Sequence, residues 1–242
     1  MKENKNVQTE FCDSKFSYSE IEKSPRLSLF IREIKKIKDF RNLKILDYGC
    51  GNCFFSSYLK NILRCKNVYG TDIFEEEIEK ISKEKGIKFI PLKNLNNHKF
   101  DLIILGEVIE HIVDLDEFII NIKRSLSKKS IAIISTPNLG SWFNRILIVL
   151  GMVPLYYQYS SKFVSIGHSR LSRLTNTNCN YGHIRLFTFN ALREFLELYK
   201  FKVIKYYGTS VVSNRLIKPF DKTISQIFPK IAHQLVFVVE NE

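Results

Sequence analysis

The sequence predicts an α/β fold built on a doubly wound, mostly parallel sheet, and three observations carry that expectation. Leu43, Ile45 and Leu46 form an apolar run that passes through Asp47 into Tyr48-Gly49-Cys50-Gly51-Asn52, after which Phe54, Phe55, Tyr58 and Leu59 recur at helical spacing. A strand that enters a glycine turn and opens a helix is the ligand-binding corner of such sheets. Short apolar runs then alternate with amphipathic ones as far as residue 135, the order in which helices act as crossovers between parallel strands. Finally, the segment Phe100-Asp101-Leu102-Ile103-Ile104-Leu105 is apolar after Asp101, as a central strand covered on both faces requires.

In chain order, residues 1 to about 17 are polar and expected to fray. Between Tyr18 and Phe40, an apolar stripe of Leu27, Leu29, Phe30, Ile31, Ile34 and Ile37 alternates with Arg32, Lys35, Lys36 and Lys38, which predicts one or two helices ahead of the first strand. The core then reads as strand 43–48, helix 53–64, strand 67–71, helix 75–85, strand 87–90, strand 101–105, helix 115–127 and strand 130–135. Glu75, Glu76 and Glu77 place negative charge at the positive end of the second of these helices, and Gly86 follows its last lysine as a C-terminal cap. Pro137 ends the fifth strand. Residues 138–180 fit no βα unit: Trp142, Phe143, Ile146 to Leu150, Met152, Val153, Leu155, Tyr156 and Tyr157 make an apolar helical insertion interrupted by Arg145, Gly151 and Pro154. It is too short to span a bilayer and reads either as a helix packed on the core or as a substrate-side lid. Ser160 to Asn180, with Arg170 and Arg173, reads as a mobile loop. Thr188 caps a helix running to about Tyr199, Phe201 to Tyr207 is a strand, 208–231 is a helical excursion, and Gln234 to Val239 is a last apolar strand.

A chain of 242 residues with no Pro/Gly/Ser-rich linker is expected to form one large domain with appendages. Its 37 Lys and Arg against 25 Asp and Glu give +12, which favours an anionic partner such as a phosphorylated substrate, RNA or an acidic membrane surface. The abundance of Ile, Asn and Lys offers a plainer origin, a compositional bias. Met1 to Asn6 lack an apolar signal core, so the protein is expected in the cytoplasm. Of the cysteines Cys12, Cys50, Cys53, Cys65 and Cys179, the pair Cys50 and Cys53 forms a lone C-x-x-C, expected to be free thiols in a reducing compartment.

The acidic residues narrow the ligand. Asp47 precedes Gly49 by two residues, and Asp72 follows the next strand, Asn67 to Thr71, where a ribose hydroxyl pair would lie. A dinucleotide fingerprint needs glycine where Phe54 stands, and the chain has no Tyr-x-x-x-Lys pair, so a nicotinamide oxidoreductase is disfavoured. Asp47-x-Gly49-x-Gly51 followed by Asp72 resembles the S-adenosylmethionine site of class I methyltransferases, with Cys53 where many members carry a further glycine. The resemblance implies a Rossmann-like, seven-stranded sheet with an antiparallel last strand. It further implies an N-terminal helical cap over 1–42 and a catalytic domain over 43–242. By resemblance, the loop at Gly49 and Gly51 receives the amino-acid end of S-adenosylmethionine and Asp47 supports it. Asp72 accepts from both ribose hydroxyls, Ile73 walls the adenine, Asn94 or Leu95 lies at the adenine edge, and Gly106 with Glu107 serves the methionine end.

A second constellation follows the fourth strand: Gly106-Glu107-Val108-Ile109-Glu110-His111. If helical, it points Glu107, Glu110 and His111 from one face, and such a set can hold a divalent cation, work as acid and base, or stand idle in solvent. Glu107-x-x-Glu110-His111 looks like a motif of the ubiquinone-biosynthesis O-methyltransferases and of small-RNA 2′-O-methyltransferases. There it binds magnesium or a related ion together with a further histidine, for which His183 occupies the comparable place. Without metal, His111 or His183 is the candidate general base. His98, His168 and His233 read as ordinary core histidines. The expected activity is methyl transfer from S-adenosylmethionine to a small hydrophobic or phosphorylated acceptor, most often at oxygen. RNA 2′-O-methylation and a non-catalytic cofactor-binding scaffold are the alternatives; no RNA-binding module accompanies the core. Peripheral contact with an anionic membrane surface is a further expectation, and the sequence is silent on oligomeric state.

Overall fold

Ser24 separates the first two helices of the described residues, α1 (Tyr18–Lys23) and α2 (Pro25–Lys36). Its hydroxyl accepts from Leu27 N–H at 3.4 Å, and Pro25 fills a first-turn position whose N–H would have no helical partner. The computed structural model describes residues 18–160, 162–163, 166–167, 182–210 and 217–242. The expectations for residues 1–17 and for most of the 160–180 loop, with Cys12, His168, Arg170, Arg173 and Cys179, lie outside the described residues.

From there the elements run β1 (Lys44–Tyr48), α3 (Phe54–Asn61), β2 (Asn67–Thr71), α4 (Glu75–Glu84), β3 (Lys88–Phe89), β4 (Phe100–Gly106), α5 (Leu115–Ser125) and β5 (Leu126–Pro137). The chain continues with α6 (Trp142–Val149), α7 (Phe189–Leu198), β6 (Phe201–Thr209), α8 (Lys218–Ile227) and β7 (Gln234–Asn241). One seven-stranded sheet has the order β3-β2-β1-β4-β5-β7-β6. β1 pairs with β2 and β2 with β3 in parallel, whereas β7 is antiparallel to both β5 and β6, with Ile133 opposite Val238 and Tyr206 opposite Phe237. The mixed α/β sheet with an antiparallel last strand is therefore as the sequence predicts.

By contacts the chain resolves into two compact units, Met1–Ile104 with Arg124–Ser127, and Leu105–Lys123 with Lys128–Glu242. In the first, Phe30, Ile34, Ile45, Leu46, Leu59, Leu102 and Ile103 form the dry interior. In the second, Ile133, Ile134, Leu192, Leu196, Phe237 and Val239 do so. Each of these side chains gains on the order of 1.5–3 kcal/mol from leaving water, which is why the apolar strand runs specify the interior.

The join between α5 and β5 differs from the sequence reading. β5 begins at Leu126, directly after α5, and carries one left-handed residue, Lys129 at φ 60°. After β5, Ser141 caps α6 by accepting from Asn144 N–H at 3.2 Å. This helix buries Phe143 and Leu147 against Leu155 and leaves Ile146, Ile148 and Val149 exposed. No helix among the described residues is long and apolar enough to cross a membrane.

Candidate active site

In the first unit, the loop after β1 is shaped by backbone that side chains could not replace. Gly49 and Gly51 have φ of 71° and 48°, in the left-handed region that glycine enters without strain. The N–H groups of Gly49 and Cys50 both donate to Thr71 O, at 2.8 and 3.1 Å, so the loop is tied to the end of β2. Asp72, just past β2, accepts from Gly51 N–H through Oδ2 at 2.9 Å and from Phe74 N–H through Oδ1 at 3.3 Å. Asp47 is buried on β1, where its Oδ2 accepts from Ser56 Oγ at 2.6 Å. Burial raises its pKa to about 6, partly offset by the Ser56 hydroxyl; the Asp72 charge adds to the rise and the Arg26 charge opposes it.

The two thiols of the loop lie 3.6 Å apart, and the Cys53 thiol, burial and nearby acids push the Cys50 thiol well above its ordinary range. Both are free and buried, with Cys53 itself left-handed at φ 55°. Ile73 and Phe74 stand largely exposed beside Asp72, and Asn94 is exposed on the 3₁₀ turn Leu92–Asn97. Leu95 on the same turn is buried, so of that pair only Asn94 offers its side chain to a ligand.

In the second unit, the segment after β4 does not form the one-faced helix expected for 107–111. Glu107 is left-handed at φ 60° and only Ile109–His111 make a 3₁₀ turn. Glu107 turns back onto β5: its N–H donates to Ser135 O at 3.1 Å and its Oε1 accepts from Ser135 Oγ at 2.8 Å. Gly106, at the end of β4, is half-buried. The structure instead gathers Glu110, His111 and His183, whose donor atoms all lie within 4.8 Å of one another, and Glu107 is not in that group.

Glu110 is fully buried, with Oε2 accepting from Thr136 Oγ1 at 3.0 Å and Oε1 standing 4.0 Å from His183 Nε2. Its carbonyl accepts from Ile184 N–H at 2.9 Å and Arg185 N–H at 3.3 Å, which docks the His183 segment onto the turn. The two imidazole rings are 4.9 Å apart. Each meets a backbone carbonyl through Nδ1, His111 on Gly182 O at 3.2 Å and His183 on Tyr156 O at 2.9 Å. A carbonyl only accepts, so both Nδ1 atoms carry the proton and both Nε2 atoms present a lone pair. Partial desolvation against its neighbours lowers the pKa of His111, and burial lowers that of His183 to about 4, so the pair stays neutral near pH 7. The Glu110 carboxylate is buried, the His183 side chain nearly so, and His111 is exposed, a gradient that opens outward. Two neutral imidazoles with unprotonated Nε2 atoms beside a carboxylate can accept a proton or hold a metal ion.

Sequence reasoning missed Ser56, Arg26, Thr136 and the Tyr156 carbonyl. Thr136 and Ser56 act through single hydroxyls that no spacing marks, and Tyr156 acts through backbone, which leaves no side-chain signal at all.

Residues 21–206 match the model of a family described as Methyltransferase domain. The chain belongs to that methyltransferase family. Among curated proteins, it is 31% identical over 179 residues to the ubiquinone biosynthesis O-methyltransferase of Rickettsia prowazekii, covering 68% of this chain and 70% of that protein. The protein of the same name from Rickettsia bellii is 31% identical, covering 68% and 73%. A SAM-dependent methyltransferase from Mesorhizobium loti superposes with a TM-score of 0.56 at 13% identity, covering 91% of this chain and 99% of that one. A SAM-dependent methyltransferase of Thermotoga maritima, described as a possible histamine N-methyltransferase, gives 0.55 at 15%, covering 88% and 87%. The solved structures share the fold. The methyltransferase is S-adenosylmethionine-dependent, and a small-molecule acceptor is the partner its family implies.

Proposed function

We propose that this methyltransferase methylates a hydroxyl oxygen of a hydrophobic or phosphorylated small molecule, with Glu110, His111 and His183 preparing the acceptor. The observation that carries the reading is the pair of carbonyl-locked imidazoles beside a buried carboxylate. A hydroxyl attacks the sulfonium methyl poorly until its proton leaves, and a neutral Nε2 is the group to take it. His111, the exposed member, receives that proton. The cofactor supplies the methyl group, so the protein's own task is to orient the acceptor in line and exclude water. Asp72 serves the ribose, Asp47 and the Gly49–Gly51 loop the methionine end, and Ile73 and Asn94 the adenine. Relatives named for O-methylation in ubiquinone biosynthesis favour a quinone precursor as acceptor class.

The metal expectation tightens. Magnesium prefers oxygen donors, whereas two imidazoles and one carboxylate suit a borderline ion such as zinc or cobalt. Glu110, His111 and His183 would hold such an ion, and when bound it would supply Lewis acidity toward the acceptor oxygen. Peripheral contact with an anionic membrane surface is supported by exposed Ile146, Ile148, Val149 and Leu150 on and after α6, within a stretch, 118–193, that contains no Asp or Glu.

The test is a transfer assay with labelled cofactor against lipid-quinone precursors, sugars and short RNAs, before and after chelation and after adding back Co²⁺, Mn²⁺ or Mg²⁺. Transfer to a small hydroxyl acceptor is expected. Transfer to RNA alone would favour the nucleic-acid alternative, and cofactor binding with no transfer would favour a scaffold.

A further inference from the structure

The turn that holds His183 is itself held from the far side. Pro154 to Tyr157 form a tight turn closed by Tyr157 N–H to Pro154 O at 3.3 Å, and its third residue, Tyr156, is left-handed at φ 69°. A bulky residue does not choose that conformation unaided, and it persists where neighbours over-determine it.

The neighbour is Asn144 on α6, fully buried, whose carboxamide bonds backbone at both ends. Its Oδ1 accepts from Leu155 N–H at 2.8 Å and its Nδ2 donates to Asn138 O at 3.0 Å. Asn138 is fully buried too, at the end of β5, and is fixed from several directions. Its N–H donates to His233 O at 2.9 Å, its Nδ2 to Lys230 O and Ala232 O at 3.0 and 2.8 Å, and its Oδ1 accepts from Gly140 N–H at 2.9 Å. Leu155, between the two ends, is buried against Phe143 and Leu147. A continuous line therefore runs from the sheet through Asn138 and Asn144 to Leu155, and from the next residue's carbonyl to His183 Nδ1 at 2.9 Å.

We propose that Asn144 is a positioning residue for His183: it sets the turn whose Tyr156 carbonyl fixes the His183 tautomer and leaves Nε2, on the Glu110 side, unprotonated. α6 and the turn after it then act as the outer support of the cluster. The proposal rests on the reading that His183 serves the reaction as base or ligand, but the tautomer can be read without any reaction. A ring held through Nδ1–H cannot present Nδ1 and must present Nε2; once the carbonyl swings away, the ring is free to carry its proton on either nitrogen.

The test uses the full chain labelled with ¹⁵N and long-range ¹H–¹⁵N spectra of the histidine rings at pH 7.5, His183 being assigned by the loss of its signals in His183→Gln. Wild type is expected to show His183 with Nδ1 protonated and Nε2 in the unprotonated range. Asn144→Ala is expected to show tautomer-averaged shifts, with cofactor affinity by calorimetry within about two-fold of wild type. Loss of outer support should also weaken Co²⁺ binding about 10- to 100-fold. If Asn144→Ala does not fold, Asn144→Leu, which fills nearly the same space and offers Leu155 N–H no acceptor, is read in the same way. A wild-type ring protonated on Nε2, or an unchanged His183 tautomer in whichever variant folds, overturns the proposal. A shifted tautomer with transfer activity intact upholds the relay and removes His183 from the reaction. Absence of Co²⁺ binding to wild type overturns only the metal part of the functional reading.

Discussion

Asp72 Oδ2 accepts from Gly51 N–H at 2.9 Å, so the carboxylate expected to meet the ribose also closes the glycine loop expected to cradle the methionine end. One side chain thus supports both ends of the proposed cofactor site. Asp72→Ala loses the charged acceptor and releases the loop together. With charge-assisted hydrogen bonds contributing about 1.5–3 kcal/mol each, cofactor binding should weaken about 100-fold or more, and Asp72→Asn should fall between. Calorimetry with S-adenosylhomocysteine measures this; affinity within a few-fold of wild type would remove Asp72 from the site.

Much of this was readable in advance, and the reasons are local. Strand runs such as Ile45-Leu46 and Ile103-Ile104 have one stable destination, the dry interior, so the sheet follows from composition along the chain. Thr188 caps α7 by accepting from Ala191 N–H at 3.3 Å, as its place before an apolar helical run implies. The cluster was less legible. Spacing put Glu107 on the face of Glu110 and His111, but a left-handed backbone at Glu107 turns it onto Ser135 instead. Sequence periodicity assumes regular backbone and fails where a strand end departs from it. The support of His183 by Tyr156 O runs through a carbonyl 27 positions away, and nothing in residue identity signals such a bond.

Asp47 gives a pH dependence with a definite sign. Its pKa rises from 3.8 to about 6 on folding, so between those values the folded protein binds more protons than the unfolded chain. Stability from this group is full below pH 3.8 and is lost as pH rises through 6. Above that, the apo protein carries a buried carboxylate at a cost on the order of 1–3 kcal/mol. Asp47→Asn should therefore raise the apo melting temperature at pH 7.5, leave it nearly unchanged at pH 4, and weaken cofactor binding. Equal effects on melting at both pH values would contradict the buried-charge origin.

Trp142, Asp221 and His233 join α6, α8 and the start of β7. Trp142 Nε1 donates to Asp221 Oδ1 at 2.7 Å, and His233 Nε2 stands 3.3 Å from the same oxygen, with Asp221 and His233 both fully buried. Asp221→Ala takes the acceptor from Trp142 Nε1 and the carboxylate from beside the buried His233 ring, and should destabilise the fold by about 3 kcal/mol, the upper end of the cost of an orphaned group. A melting temperature lower by roughly 6–12 °C follows for a chain of this size. Asp221→Asn, which still offers Trp142 an acceptor, should lose less than half as much. Calorimetric melting of both variants decides it, and an unchanged transition in Asp221→Ala would show that the trio carries no stability.

Gly70 on β2 faces the Cys50 side chain across the loop. A β-carbon placed on Gly70 would lie 2.8 Å from Cys50 Sγ and 3.3 Å from Cys50 Cβ, closer than carbon and sulfur tolerate, while Gly70 needs no left-handed conformation of its own. The glycine is therefore required for space. Overpacking of this kind typically costs about 1–3 kcal/mol, and Cys50 is buried and cannot turn aside freely. Gly70→Ala alone should lower stability by that amount and, because Cys50 sits between Gly49 and Gly51, weaken cofactor binding as well. Cys50→Ala removes the sulfur but not the β-carbon, so the double variant should recover most of the loss while the 3.3 Å contact keeps a remainder. A double-mutant cycle by chemical denaturation reads the coupling directly, with a favourable interaction of about 1 kcal/mol or more expected between the two substitutions. Additive effects would mean that Gly70→Ala is accommodated by movement of the strand, and that the sulfur does not set the spacing of the loop.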